Sequence, residues 1–448
     1  MSASFINEPE NFVPFLDLLK QLIRVPSVTG AEHSFLLYLK RELEEIGIKT
    51  QYYDGLLVAQ GNNPTKGILS AHIDRHGVIC TGPNEFQFAA FLAKNRSDLR
   101  GNSLSEQTYQ LIAKRYINQQ VLAYEPWSGS YLGIGQIKDA FMCEEINNLI
   151  FEIEGLSHLQ PGTPIAFSDK LKRKDDLISA QLDNVISAAI IIYLYQNGFQ
   201  GTAFFTAQEE AGKSWRYVYE WFKKNNLSTN ELLVLDTSPY DTRDEADKQL
   251  VVLRNKDVNA KFKSPILKQL KEFCHKNDID FSCKDTFIEE KNKIREENGL
   301  PILSLGSTEL GRIVMESNGT IQGTTLQIPT TGYHTVEETA SIKSVKAILH
   351  ILSSLYIDKC LKNKQFNLEE IKTMNLAIIY ELRANDVSEE HIELIMDRVK
   401  NRLTEENIDK ELVKLGYPKI FTVDYDDYDN YDYDNYSPTN KGNYEEID

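Results

Sequence analysis

The feature that most limits the fold is an alternation of strand-like and helical segments from Leu177 onward. Asn184–Tyr195 is apolar on nearly every helical face, so it must lie between other layers. Short apolar runs at Thr202–Thr206, Glu231–Leu235, Val251–Leu253, Asp280–Cys283 and Thr324–Ile328 read as strands. Helical patterns at Ser214–Lys224, Pro265–His275, Glu309–Glu316 and Ile342–Tyr356 separate or follow them. Such alternation predicts an α/β protein with a mostly parallel sheet flanked by helices. Upstream, Phe15–Arg24 and Ala31–Ile46 have helical spacing and are stopped by Pro26 and Gly47, and Leu56–Ala59 and Gly67–Ala71 read as strands.

Between Val78 and Lys174 the texture changes. Short strand-like pieces (Tyr131–Ile134, Leu149–Ile153) lie between turn signals such as Gly82-Pro83 and Pro161-Gly162, with one helical piece at Ser105–Tyr116. This predicts a small, β-rich, barrel-like module inserted into the α/β body. Beyond Asp358, Leu368–Leu382 and Glu389–Leu403 have helical spacing, and Asp424–Pro438 is a low-complexity Asp/Tyr run expected to be disordered. The expected organisation is a body in two parts (1–77 and 175–358), an insertion (78–174), a helical appendage (359–420) and an acidic tail (421–448).

Charge narrows the partners. The formal net charge is −17, and Asp424–Asp448 carries nine acidic residues against one lysine. Nucleic acid and anionic membrane are therefore poor partners. The longest apolar run, Ala188–Tyr195, is too short to span a bilayer. Five widely spaced cysteines without a C-x-x-C pair, and a first segment (MSASFINEPE) without signal-peptide character, predict reduced thiols in a cytoplasmic protein.

Candidate chemistry centres on FTAQEEAG (205–212), where an apolar run breaks into Glu209 and Glu210. His72, Asp74, Asp183, Asp236 and His334 also follow or end strand-like segments. Each has an ordinary explanation when taken singly. A Glu-Glu pair is usually a solvated face, His72 a satisfied core histidine, Asp183 a helix cap, Asp236 a turn residue and His334 a loop histidine. Together they suit one end of a parallel sheet, where ligands gather. Two histidines and several carboxylates there fit one or two divalent cations.

The motifs SAHID (70–74), QLDN (181–184), TAQEEAG (206–212), LLVLD (232–236) and IPTTGYHT (328–335) resemble the glutamyl/deblocking aminopeptidases, dinuclear metallopeptidases that form tetrahedral (TET-type) dodecamers. The likeness spans roughly residues 12–357, with softer matches at VVLRNKDVN (251–259) and GSTELGRI (306–313). It implies a zinc-exopeptidase-like fold and hydrolysis of N-terminal residues from short peptides by a cytoplasmic homo-oligomer. It also implies two divalent ions per subunit, zinc with cobalt or manganese as alternatives. His72 and Asp236 would hold one, Glu210 and His334 the other, and Asp183 would bridge. Glu209 would be the general base and Asp74 would support the His72 ring. The family pattern also implies a cis Asp183–Asn184 bond. The chain departs from the pattern at Asn184-Val185, where Asp-Arg is common, and at Glu309, which replaces the usual Asp. It also departs at Arg75-His76, where an acidic and an apolar residue are common. Arg75 and His76 would then tune specificity toward acidic N-terminal residues.

Two other readings are compatible with the residues. One is a dinuclear carboxypeptidase or deacylase, but that branch places its extra domain between the equivalents of Asp236 and His334. Here the room lies between His72 and Asp183, 111 positions apart. The other is a non-catalytic scaffold with a relic metal site, which has no need of the full ligand set plus Glu209.

Overall fold

The computed structural model describes residues 12–90, 110, 112–143, 145, 148–357, 378–379, 381–399 and 405–422. The Asp/Tyr run, half of Ser105–Tyr116 and most of Leu368–Leu382 lie outside them. Two compact units divide the chain, residues 1–362 and 363–448.

The strands of the first unit are β1 (Lys49–Tyr53), β2 (Leu56–Gln60), β3 (Ile68–His72), β4 (Gly77–Gly82), β5 (Glu85–Phe88), β6 (Gln120–Tyr124), β7 (Tyr131–Cys143), β8 (Asn148–Glu154), β9 (Pro164–Phe167), β10 (Lys172–Lys174), β11 (Leu177–Ala180), β12 (Thr202–Thr206), β13 (Thr229–Pro239), β14 (Val251–Leu253), β15 (Phe281–Cys283), β16 (Ile321–Thr331) and β17 (Glu338–Ser341). The main sheet runs β1-β2-β12-β3-β13-β16-β17-β11-β10, with β14 on β16 and β15 on β14. Its centre, β12-β3-β13-β16, is parallel. Both flanks are antiparallel, so the sheet is mixed, where the sequence pattern predicted a mostly parallel one. The difference comes from β1, a polar strand paired to β2 across the turn at Gly55, and from β17, a four-residue strand that the HTVEETA segment hides.

Burial explains the layering. All five residues of β12 are buried, as expected of a central strand covered on both faces. The helix Val185–Gln196 buries ten of its residues, nine of them in the main core, against the helix Val13–Arg24 and the sheet. Buried Leu, Ile and Phe side chains of this kind contribute about 1.5–3 kcal/mol each. On the opposite face, Phe204, Trp221, Phe222, Leu310 and Ile313 form a second cluster.

Two soft sequence matches interlock there. The Asp257 carboxylate accepts from the Thr308 N–H and hydroxyl, each at 2.9 Å. A Cβ on Gly311 would lie 1.9 Å from Asp257 Oδ2, so glycine is the residue that fits.

Directly after His76 the chain enters a closed antiparallel barrel, β4-β5-β8-β7-β6-β9, with its own core of Phe86, Phe88, Tyr116, Val121, Phe151 and Phe167 among others. The barrel leaves by β9 and rejoins the body at β10.

In the second unit, the helices Glu389–Val399 and Glu405–Lys414 share a core that includes Leu382, Ile392, Ile395, Ile408 and Leu412. Asp409 closes it by accepting from the backbone N–H groups of Ile420, Phe421 and Thr422. No helix among the described residues is long and apolar enough to cross a membrane.

Candidate metal centre

Register brings the residues together. Thr206 of β12 pairs with His72 of β3, and Asp236 of β13 pairs with Gln327 of β16, so four parallel strands end at one edge. His72 ends β3, Glu209 and Glu210 follow β12, Asp236 lies in β13 and His334 follows β16. Asp183 enters from the turn between β11 and the helix Val185–Gln196. Its bond to Asn184 is cis.

The donors form two adjoining groups, His72–Asp183–Asp236 and His76–Glu210–His334. His72 Nε2 lies 3.3 Å from Asp183 Oδ1 and 3.6 Å from Asp236 Oδ1. His334 Nε2 lies 3.7 Å from Asp183 Oδ2 and 3.3 Å from Glu210 Oε1. Asp183 thus turns one oxygen to each group. Donors about 2.0–2.2 Å from a shared ion stand roughly 3.3–3.5 Å apart in tetrahedral geometry, close to these spacings.

Charge and unsatisfied donors fit cations here. Burial pushes the Glu209 carboxyl well above its ordinary range, and Glu210, Asp236 and Asp74 push it further while His72 opposes them. Asp236 and Glu338 are also raised, chiefly by burial and then by Asp183, although His72 offsets part of this at Asp236. Burial disfavours a charge on His72, yet Asp183, Asp236 and Asp74 raise it well above the usual histidine value. Burial also opposes ionisation of Glu210, but His334 and His76 hold its carboxyl well below the usual range. Asp183 Oδ1, His76 Nε2 and His72 Nδ1 are buried without hydrogen bonds. A concentrated, buried negative charge with orphaned ligand atoms fits divalent cations with N and O donors.

Residues 153–351 match the family model of the M42 glutamyl aminopeptidases. Over that span, somewhat under half of its length, the chain is similar to the M42 glutamyl aminopeptidases. The fold of the body recurs in solved structures. A TET aminopeptidase from a marine-sediment Thaumarchaeota archaeon aligns with TM-score 0.56 at 15% identity, over 81% of this chain and 99% of its own. An aminopeptidase of the archaeon Desulfurococcus kamchatkensis aligns with TM-score 0.56 at 14% identity, over 80% and 99%. The Pyrococcus horikoshii TET1 peptidase, described as able to assemble into a tetrahedron or a large octahedral shell, aligns with TM-score 0.54 at 15% identity, over 77% and 99%. No curated protein matches the sequence significantly.

Several residues around the donors have tasks that the strand-end pattern did not indicate. Asp74 lies 3.5 Å from His72 Nδ1, which makes no hydrogen bond. Its firm contacts are elsewhere. Oδ1 accepts from the Glu209 N–H at 2.8 Å and Oδ2 from the Glu210 N–H at 3.0 Å. Asp74 therefore sets the tandem glutamates more than it orients the His72 ring.

Glu338, fully buried at the start of β17, accepts from the Asp183 N–H at 2.7 Å and the His334 N–H at 2.6 Å. It ties the two-sided aspartate to the last histidine. The one sequence signal for it was an acidic residue heading an otherwise small, β-prone segment. Glu309 clamps β3 to β12 through the Ser70 and Thr206 hydroxyls, at 2.6 and 2.7 Å.

Gln208 and His334 carry φ of 60° and 57°, left-handed backbone at non-glycine residues on either side of the donor cluster. Arg75 corrects an expectation. Its buried guanidinium donates to Ser27 Oγ and to the carbonyls of Ile23 and Val25 at the end of the first helix, so it is committed to structure and not to a substrate's acid group. Val185 lies wholly in the core, while Asn184 Nδ2 donates to the Leu235 carbonyl at 2.9 Å.

Proposed function

We propose that the α/β body is a two-metal aminopeptidase, like the M42 enzymes it resembles, that removes N-terminal residues from short peptides. The observation that carries this reading is Asp183, whose two carboxylate oxygens face separate donor groups. In this reading His72 and Asp236 hold one ion, Glu210 and His334 the other, and Asp183 bridges. Two divalent cations, zinc with cobalt or manganese as alternatives, would polarise the scissile carbonyl and acidify a water.

The remaining work falls to side chains of this chain. Glu209 stands beside the donors, partly open to solvent, with its backbone held by Asp74. It removes the proton of the attacking water and delivers it to the departing amine. Asp74 and Glu338 keep the tandem glutamates, Asp183 and His334 in place through backbone N–H groups.

We divide the chain into a catalytic body (1–77 and 175–358), an assembly module (78–174), a helical appendage (359–420) and a tail (421–448). The barrel supports the assembly role, because β7 and the turn before it expose Trp127, Tyr131, Leu132, Ile134 and Phe141. A cytoplasmic homo-oligomer, up to a tetrahedral dodecamer, follows from this reading. Four free cysteines among the described residues support a reducing compartment.

Metal analysis of the purified chain tests the site. About two tightly held divalent ions per chain are expected, and Asp183→Asn should lose both. Less than one ion in the wild type would refute the two-metal reading.

A further inference from the structure

We infer that His76 is an additional protein ligand of the metal held by Glu210 and His334, which would give that ion four protein donors against three for its neighbour. This rests on the two-metal reading and goes beyond its five ligands. His76 occupies a position where the family pattern usually has an apolar side chain, so the donor belongs to this chain.

Proton accounting fixes the ring. Tyr116 has one hydroxyl proton, and it donates that proton to the His334 carbonyl at 2.9 Å, since a carbonyl can only accept. The Tyr116 oxygen therefore accepts from His76 Nδ1, 3.0 Å away. With Nδ1 protonated, the neutral ring presents its Nε2 lone pair. That atom lies 2.7 Å from Glu210 Oε2, an ion-pair spacing without the geometry of a ring N–H hydrogen bond. A lone pair and a carboxylate oxygen this close need a cation between or beside them. The His76 and His334 rings sit with centroids 3.9 Å apart, and one donor atom from each, with one from Glu210, falls within a 4.8 Å cluster. Gln181 Nε2 anchors the His76 carbonyl at 2.9 Å, and Tyr116 joins the backbone of His334 to the ring of His76. The His76 ring and the His334 backbone are thus held by fixed partners, as ligating histidines commonly are.

Donor count then separates the two ions. Four protein donors (His76, Glu210, His334 and Asp183) make one position closed and tightly held. Three (His72, Asp236 and Asp183) leave the other with room for water and substrate, on the side of Glu209.

The test is metal binding, read without activity. Zinc-loaded wild-type protein examined by X-ray absorption should show three imidazoles for every two zinc ions, and a count of two would overturn the inference. Dialysis of cobalt-loaded protein against graded chelator should release the ions in two steps. His76→Val should weaken the tighter step about 10- to 100-fold and shift its visible absorption, with the looser step unchanged. Tyr116→Phe, which keeps all donors, should weaken the tighter step less. His76→Val that folds and keeps both steps and the wild-type spectrum would show that His76 and Glu210 share only a proton. Wild-type protein that retains no ion would instead refute the two-metal reading itself.

Discussion

Asp74→Asn isolates the part of the site that organises Glu209 and Glu210. In the wild type both Asp74 oxygens accept a backbone N–H, at 2.8 and 3.0 Å, from a fully buried position. Asparagine keeps one acceptor oxygen and turns an NH₂ toward the other N–H. One charge-assisted hydrogen bond is lost, worth about 1.5–3 kcal/mol. That energy corresponds to roughly a ten- to hundredfold effect if it falls wholly on the placement of the glutamates. The variant should fold, because the loss is small against a typical stability of about 5–15 kcal/mol. It should show a lower urea midpoint, weaker retention of the metal at Glu210 and a reduced kcat. Urea denaturation, metal analysis after dialysis and peptide turnover measure the three effects. A variant with wild-type midpoint and turnover would refute the assignment of Asp74 as the support of the tandem glutamates, and would return it to a minor contact with His72.

Other outcomes follow from the same geometry. Glu209→Gln should lower kcat about 10²–10⁴-fold with metal content unchanged, and full activity would remove it as the base. Chelation should lower the thermal midpoint and divalent ion should restore it, since an ion at about 100 times its Kd adds about 2.7 kcal/mol. Lys284 is held down to about 7 by burial, with Arg254 and Lys291 adding to the effect, from an ordinary 10.5. The unfolded chain therefore binds more protons between these values, so stability should rise with pH from about 7 toward 10. Lys284→Met should flatten that rise in urea midpoints measured across the range. Gly311→Ala should cost about 1–3 kcal/mol or more, because its Cβ would overlap the Asp257 carboxylate, and a circular-dichroism melt would detect it.

The sequence was most legible where periodicity and burial agree. Ile342–Tyr356 and Glu309–Glu316 have the bounds that their spacing predicts, and the largely apolar helix after Asp183 is buried on nearly every side. Long-range pairing was less legible. β1 is polar and half-exposed, and β17 is four residues long, so neither has a local hydrophobic signature. Their antiparallel pairing depends on partners distant in the chain or across a turn.

The same division holds at the site. His72 ends β3, Asp236 lies within β13, and Asp183, Glu210 and His334 lie in the segments just beyond strands, so all five followed or ended strand-like runs in the sequence and were visible as a set. Glu338 was not, because its value lies in two backbone N–H groups that no side-chain pattern encodes. His76 looked like a departure in a motif, and only the fold puts its ring beside His334.

The most direct measurement of the central claim is product analysis on a panel of short peptides with free and acetylated N-termini, with metal-loaded and metal-stripped protein. Stepwise release of single residues from the free N-terminus is expected, lost on stripping, recovered with divalent ion and absent in Glu209→Gln. Release from the C-terminus, cleavage that ignores the chelator, or no cleavage by protein holding two ions per chain would contradict it.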